Sequence, residues 1–531
     1  MDIFGSQLEE ALPVLQEQIQ GCDFIAIDME FTGLHSVLPH NLKPSLFDSA
    51  DDWYRKVKSS IQKFTVCQIG LSIFFKQKSN RFLSYSYNFY LFPLTFGSVD
   101  SEFSIQATSI QFLNEFGFDF NKFMKDGISY LNEEQEERLK KDMLTGNWCP
   151  HSASEKDKLK EAIIAVTCWE ATAGEGDSMR LYNLRGFQML MAQMVLRQAL
   201  PDVWTVAVEG NELLVRKVNR QRRQQLENSS LDPCNRNRVL LLARGFTNIF
   251  QSIVGAKKPL VGHNMLMDLL HLHHKFYRPL PDSYSEFKKN IHTLFPVLID
   301  TKMLMRSVWK EFQFPHAATL LEIFDVLSSD MNPASPSCPL IEHATDCRKY
   351  VKNRCPHEAA YDAFLCGSVL IHMTHLLLVT GQGETEELER SYSQYVKIAS
   401  KYINQVNVIH AGFSCVNFSG PDPCSHRPPT LLLTVRGWPD VDEEQIYRAF
   451  LSICRVDVKR LRGTQFLLLT TKFKGARAMQ KEYKGHPNFQ LCAYRYWRHS
   501  PLVCCVFSVC SVILAWSAVA FILGKSVPHH L

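Results

Sequence analysis

The sequence contains no Cys-x2-Cys pair before residue 500, although it holds 16 cysteines. Paired-thiolate zinc ribbons and thioredoxin-type redox motifs are therefore excluded from that part of the chain. Cys338, Cys347 and Cys355 come nearest to a cluster, and their spacing matches no common zinc finger. Several thiols sit inside apolar runs, Cys67 in 64–71 and Cys366 in 363–370, the pattern of buried free thiols in a reducing compartment. Net charge is slight at +4, so any case for nucleic acid has to come from local residues. Residues 1–19 have neither a basic start nor a continuous apolar stretch, so no secretory signal peptide is expected and most of the chain is expected on the cytosolic side. Charge is missing altogether from Leu502 to Leu523. At about 1.5 Å per residue this run matches a hydrocarbon core of roughly 30 Å. Arg495, Arg498 and His499 precede it while only Lys525 and two histidines follow, so the positive-inside bias makes it a tail anchor with a cytosolic N-terminal part. A buried core helix is the blander reading of the same run.

What is present implies an α/β protein of more than one domain, since 531 residues with 46% hydrophobic and 21% charged can bury a sizeable core. Asp23–Ile27, 64–75 and 88–94 read as three opening strands. The segments 131–141, 186–200 and the basic 215–225 read as helices. Strand and helix alternation then resumes with 259–264, 265–276, 295–302, 318–327 and a long helix in 357–378. The expected division is a core domain in two parts, 1–145 and 236–400, around an inserted helical subdomain, 146–235. A Gly-, Pro- and Ser-rich linker, 401–429, leads to a small unit, 430–498, and the membrane span is 502–523. The small unit has the β-α-β-β-α order of an RNA-recognition-motif-like fold. Its third strand offers only Phe466 for stacking bases, which favours a structural or protein-docking role over RNA binding.

The chemistry is concentrated in few places. Asp28 and Glu30 stand two apart in a hydrophobic strand, so both carboxylates share one face while Ile27 and Met29 point the other way. Two like charges on a buried face need a cation, and hard oxygen ligands favour Mg²⁺ or Mn²⁺. A solvent-facing pair on an edge strand is the alternative. Asp268 lies among Met267, Leu269 and Leu270, where an unpaired carboxylate is poorly tolerated unless it faces the surface. Asp362 opens an apolar helix with His357 five residues earlier, placed to act as a general base beside a metal-holding aspartate.

Together, Asp-x-Glu on the first strand, an aspartate after Gly-His-Asn and His-x4-Asp on the last long helix resemble the three motifs of the DEDDh exonucleases. More narrowly, 27–33, 262–271, 295–304 and 357–367 are similar to the poly(A)-specific ribonuclease family, in order, across about residues 1–400. With the terminal span, the chain most resembles a membrane-bound germline branch of that family that trims PIWI-interacting RNA precursors. The resemblance implies an RNase H-like core and a 3′→5′ exoribonuclease. It implies two Mg²⁺ or Mn²⁺ ions about 4 Å apart on Asp28, Glu30, Asp268 and Asp362, one activating water and one stabilising the departing 3′ oxygen, with His357 as base. It also implies PIWI-clade Argonaute and Tudor-domain partners, a homodimer, and an anchor in the mitochondrial outer membrane or the endoplasmic reticulum. The insert departs from the family in lacking the Arg-x3-His signature of its single-strand-binding module, which makes it a degenerate version of that module and points to partner-delivered substrate.

Other positions carry paired readings. Phe31 is placed either to stack on a terminal base or to fill the core. Lys302 is either a phosphate contact or a solvated lysine. His271, His273 and His274 are read as ordinary helix positions rather than a metal cluster. Arg216 to Arg223 either track RNA or form a solvated helix. A membrane-tethered messenger-RNA deadenylase is the alternative enzyme, and a catalytically weak RNA-binding scaffold is the alternative class.

Overall fold

In a computed structural model of the chain, the described residues are 1–34, 43–96, 98–145, 153–184, 186–208, 212–227, 234, 236–347, 349–382, 390–423, 427–438 and 440–525. They form two compact units: Met1–Leu42, Tyr54–Val408 and Cys415–Pro423 make the larger, and Lys43–Trp53, Ile409–Ser414 and Cys424–Leu531 the smaller.

The larger unit is built on a seven-stranded mixed sheet. Its strands are β1 (Asp2–Ile3), β2 (Phe24–Phe31), β3 (Val66–Gln77), β4 (Arg81–Tyr90), β5 (Leu260–Gly262), β6 (Leu298–Asp300) and β7 (Leu340–His343). The order is β1-β4-β3-β2-β5-β6, with β7 sharing the outer edge of β4. The β2-β3-β4 ribbon is antiparallel, and β5 and β6 continue parallel to β2. Phe24 to Ile27 and Val66 to Phe74 are buried on both faces because helices cover both sides, so these strands read as continuous apolar runs.

The helix that matters most for the site is Ala359–Gln382, packed across β2 and β3. Its apolar side chains join Phe24, Ala26, Phe74 and Phe82 in one core cluster. Two glycines allow the approach: a Cβ on Gly70 would lie 1.9 Å from the Ala359 carbonyl carbon, and one on Gly367 would lie 2.2 Å from the Phe74 ring. The apolar content that qualifies this helix as a membrane span in length and composition is spent on the core.

Two expectations are corrected here. The insert is not helical throughout: with the helices Ala153–Glu170 and Gly186–Ala199 stands a three-stranded antiparallel sheet of Ser178–Leu181, Glu212–Lys217 and Val203–Val208. Leu213 and Val215 are buried and Arg216 exposed, a period of two that places the start of the basic stretch in a strand, and only Arg220–Glu227 is helical. The stretch read as linker also carries paired strands, Gln405–Asn407 and Cys415–Asn417. Asn404 ties it to the core by receiving the Leu298 N–H on its side-chain oxygen and donating its own N–H to the Leu298 carbonyl. The linker residues Cys424, Ser425 and His426, and 383–387 of the polar stretch before it, lie outside the described residues.

The smaller unit carries a four-stranded antiparallel sheet in the order Val456–Arg462, Gln465–Thr470, Leu431–Val435, Phe489–Ala493, with helices Glu443–Leu451 and Phe473–Glu482. Phe466 is fully buried in its core. Asp457, on the first of those strands, accepts from Ser45 Oγ at 2.9 Å and Leu46 N at 2.7 Å, and His410 Nε2 lies 3.3 Å from its other oxygen. These bonds hold the carboxyl below the usual range against the opposing effect of burial. The chain then continues into Pro501–Lys525, a helix whose span Pro501–Phe521 has no buried side chain. The 14 described cysteines of the molecule are all free thiols.

Candidate active site

Four acids and one histidine, drawn from three places in the fold, come together at the C-terminal end of the interior strand β2. Asp28 and Glu30 lie on β2 opposite Gly70 and Gln68 of β3, on the face that Ala359–Gln382 covers. Gln68 Oε1 receives the N–H of Ala359 at 3.0 Å and Asn88 Oδ1 that of Ala360 at 2.8 Å, so two strand side chains satisfy free donors at the helix start. Asp362 follows in the first turn, one turn from the sheet. Its Oδ2 accepts the N–H of His357 at 3.0 Å, and His357 takes a left-handed backbone conformation with φ 65°. A non-glycine residue holds that conformation at a cost on the order of 1–2 kcal/mol, which the bond to Asp362 offsets. Ligand atoms of Glu30, His357 and Asp362 all lie within 4.8 Å of one another.

Asp268 arrives from the other side, in the first turn of Leu266–Leu272. The turn before it is fixed by Asp300 at the end of β6. This buried carboxylate accepts the N–H groups of Asn264 at 3.0 Å, Lys302 at 2.9 Å and Asn407 at 2.8 Å. Asn264 itself is left-handed, with φ 59°.

The electrostatics of this group are adverse as it stands. Burial first, and then Asp362, Asp268 and Glu30, push the Asp28 carboxyl well above its ordinary range. Glu30 is raised in the same way by burial, Asp362 and Asp268. Asp268 and Asp362 are each pushed up to about 7, in both cases chiefly by burial. Asp268 is 7% exposed and its Oδ1 has no hydrogen-bond partner among the described residues. Hard carboxylate oxygens, mutually repelling and partly orphaned, fit divalent cations of the oxygen-preferring kind.

The His357 ring is held between Phe112 and Phe116, at centroid distances of 4.7 and 4.2 Å. Both come from the end of the helix Ala107–Glu115 and both keep an exposed edge. Burial lowers the His357 pKa, so the neutral imidazole prevails at neutral pH. Sequence reasoning missed these two phenylalanines, and Gln68, Asn88, Gly70 and Asp300.

The remaining positions separate. Phe31 is 8% exposed and gives a ring face to His271 at 4.4 Å, so it packs and is not open to a base. Phe31 follows Glu30 directly in the strand, so alternation leaves the acid facing the site and the ring facing the other way. Lys302 is half-buried in the first turn of Thr301–Phe312 and has no ion-pair partner among the described residues. His273 and His274 are used locally, on the Arg278 carbonyl and the Leu280 N–H. In the basic stretch, Arg223 caps the carbonyls of Arg197, Leu200 and Pro201, and Lys217 those of Glu170 and Ala173.

Residues 3–370 match the CAF1 family ribonuclease. Poly(A)-specific ribonuclease PNLDC1 of Mus musculus is 52% identical over 99% of this chain and 100% of its own. The pre-piRNA 3′-exonuclease trimmer of Bombyx mori is 28% identical over 94% of each chain. Poly(A)-specific ribonuclease PARN of Xenopus laevis is 30% identical over 85% of this chain and 74% of its own.

Proposed function

The chain belongs to the CAF1 family of ribonucleases and is a 3′→5′ exoribonuclease, and we propose that its substrate is the single-stranded 3′ end of PIWI-interacting RNA precursors. The observation that carries the reading is that ligand atoms of Glu30, His357 and Asp362 lie within 4.8 Å of one another, with Asp28 and Asp268 in charge interaction with the same acids. The pre-piRNA activity in the name of the Bombyx mori relative supports the choice of RNA.

Asp28, Glu30, Asp268 and Asp362 hold the divalent metal in this reading, two Mg²⁺ or Mn²⁺ ions, which when bound supply Lewis-acid polarisation of the scissile phosphate and a lowered pKa for the attacking water. His357, neutral at pH 7, takes the proton of that water on a ring nitrogen. Phe112 and Phe116 hold the imidazole beside Glu30 and Asp362. Cleavage leaves a 3′ hydroxyl on the shortened RNA and releases a nucleoside 5′-monophosphate. Lys302, whose ammonium forms no salt bridge among the described residues, contacts a backbone phosphate.

The exposed apolar helix supports a tail anchor over 502–523, in the mitochondrial outer membrane or the endoplasmic reticulum, with the catalytic unit in the cytosol. The family resemblance supports delivery of RNA by a PIWI-clade Argonaute and a Tudor-domain scaffold, and a homodimer. A second reading, a tethered poly(A) deadenylase, draws on the poly(A)-specific names of the Mus musculus and Xenopus laevis relatives. Time courses on 5′-labelled RNAs ending in A or in mixed sequence separate the two. Equal shortening, abolished by Asp28→Asn, is the expected result, and strict dependence on terminal A would overturn it in favour of the deadenylase.

A further inference from the structure

Positive charge is gathered in one stretch of this nearly neutral chain. Residues 455–499 hold eleven Lys and Arg against two Asp and Glu, a local charge of +9 in a molecule of +4, so the rest of the chain is net negative. Four of the eleven cations follow one helical spacing in the smaller unit. On and just beyond Phe473–Glu482, Lys474, Arg477, Lys481 and Lys484 recur at intervals of three and four, along one face of a helix, while Ala476 and Met479 of the same helix are buried in the core. All four cations are exposed and none is in an ion pair among the described residues.

With no ion pair among the described residues, this exposed cationic face is available to an anionic surface. RNA is disfavoured because the sheet has no stacking platform: Phe466, the one aromatic on its strand, is fully buried in the core with Arg460 over its ring at 4.9 Å. A bilayer is favoured because the same unit runs directly into the apolar helix Pro501–Lys525. At the junction Tyr496 and Trp497 are 63% and 61% exposed, the residue types that settle at headgroup level. Resting on the reading of 502–523 as a membrane span, we propose that the Lys474–Lys484 face docks on anionic phospholipid headgroups of the membrane that holds the tail. The tether keeps the face within reach of the surface, where each Lys or Arg strengthens attachment by roughly fivefold, and docking weakens as salt rises.

The test is amide hydrogen exchange on the full chain in nanodiscs of phosphatidylcholine alone or mixed with phosphatidylserine. Peptides covering 472–484 are expected to exchange several-fold more slowly in the mixed discs, and Lys474→Glu/Arg477→Glu/Lys481→Glu is expected to remove the difference while leaving peptides of Ala359–Gln382 unchanged. Equal exchange of 472–484 in both discs, with 501–521 protected in both, would overturn the docking and leave the anchor standing. Unprotected 501–521 in both discs would overturn the anchor and the docking with it. Slowing of 472–484 by added single-stranded RNA in neutral discs, without slowing by phosphatidylserine, would assign the face to RNA instead.

Discussion

Gly70 on β3 and Ala359 at the start of the long helix are in such close approach that a Cβ on the glycine would lie 1.9 Å from the alanine carbonyl carbon and oxygen. That proximity fixes the site. Gly70 is the register partner of Asp28, and Asp362 stands one turn along the helix that begins at Ala359. The distance between the β2 acids and the helix acid is thus set by a missing side chain, with Gln68 and Asn88 holding the helix end from either side.

Gly70→Ala should therefore damage both the fold and the chemistry. The added methyl meets backbone, which cannot turn aside, and overpacking of this kind costs roughly 3 kcal/mol. Moving the helix start also carries Asp362 and His357 away from Glu30, and a displacement of about 1 Å lowers the rate on the order of a hundredfold. Urea unfolding and RNA trimming measured together test this. Gly255→Ala, in a helix where a Cβ meets nothing within 4 Å, serves as the control and should gain up to about 1 kcal/mol.

Asp28→Asn should abolish trimming while making the metal-free protein more stable. Asparagine cannot carry the negative charge that burial, Asp362, Asp268 and Glu30 all oppose at this position, so that adverse contribution is removed. In EDTA the variant should melt higher than wild type by an amount equivalent to about 1–2 kcal/mol. Added Mg²⁺ or Mn²⁺ should stabilise wild type more than the variant. A variant that melts lower in EDTA and responds fully to metal would place Asp28 outside the ligand set.

Much of the site was legible because its chemistry is local. Asp28 and Glu30 declare themselves by alternation in an apolar strand, and Asp362 by an acid at the head of an apolar helix. The neighbours were not legible, because what they do depends on long-range contact. Phe112 and Phe116 look like two helix positions four apart until the fold carries them against His357, 241 residues beyond Phe116. Phe31 misled although the same alternation applies to it: a residue next to Glu30 in a strand points to the opposite face, and the ring packs on His271. In the insert, the polar and basic composition of 215–225 concealed a strand whose buried residues, Leu213 and Val215, lie at and before its edge. The linker reading failed on the Gly- and Pro-rich composition around 420, which carries no signal of Asn404 and Asn407 binding the core.

The pH dependence of stability should carry the mark of Asp268. Its carboxyl is held up at about 7, mainly by burial, against about 3.9 in the unfolded chain. Across that window the folded metal-free protein retains a proton that the unfolded chain has released, so the contribution of Asp268 turns unfavourable as pH rises from about 4 to about 7. Buried His263 and His372, lowered by burial to about 3 and about 4, act in the opposite sense. The quantity to follow is therefore the difference between Asp268→Asn and wild type. In EDTA the advantage of the variant should grow between about pH 5 and pH 7.5, reaching on the order of a few kcal/mol, and a difference that is constant with pH would count against a raised Asp268.

Phe116→Ala should shift the acid limb of the pH–rate profile and not merely scale the activity. In the native enzyme burial lowers His357, so trimming should decline below an ordinary histidine value of about 6.5. Removing the ring 4.2 Å away admits water to the imidazole, stabilises its protonated form and moves the limb upward toward about 6.5. The rate at neutral pH should fall roughly tenfold from loss of orientation. Phe116→Tyr, which keeps the ring, should restore the rate and most of the shift. His357→Ala should remove the limb altogether and cost about 10²–10⁴ in rate. A Phe116→Ala profile parallel to wild type, lower but unshifted, would leave Phe116 with packing alone, and a limb that survives His357→Ala would mean that another group takes the proton.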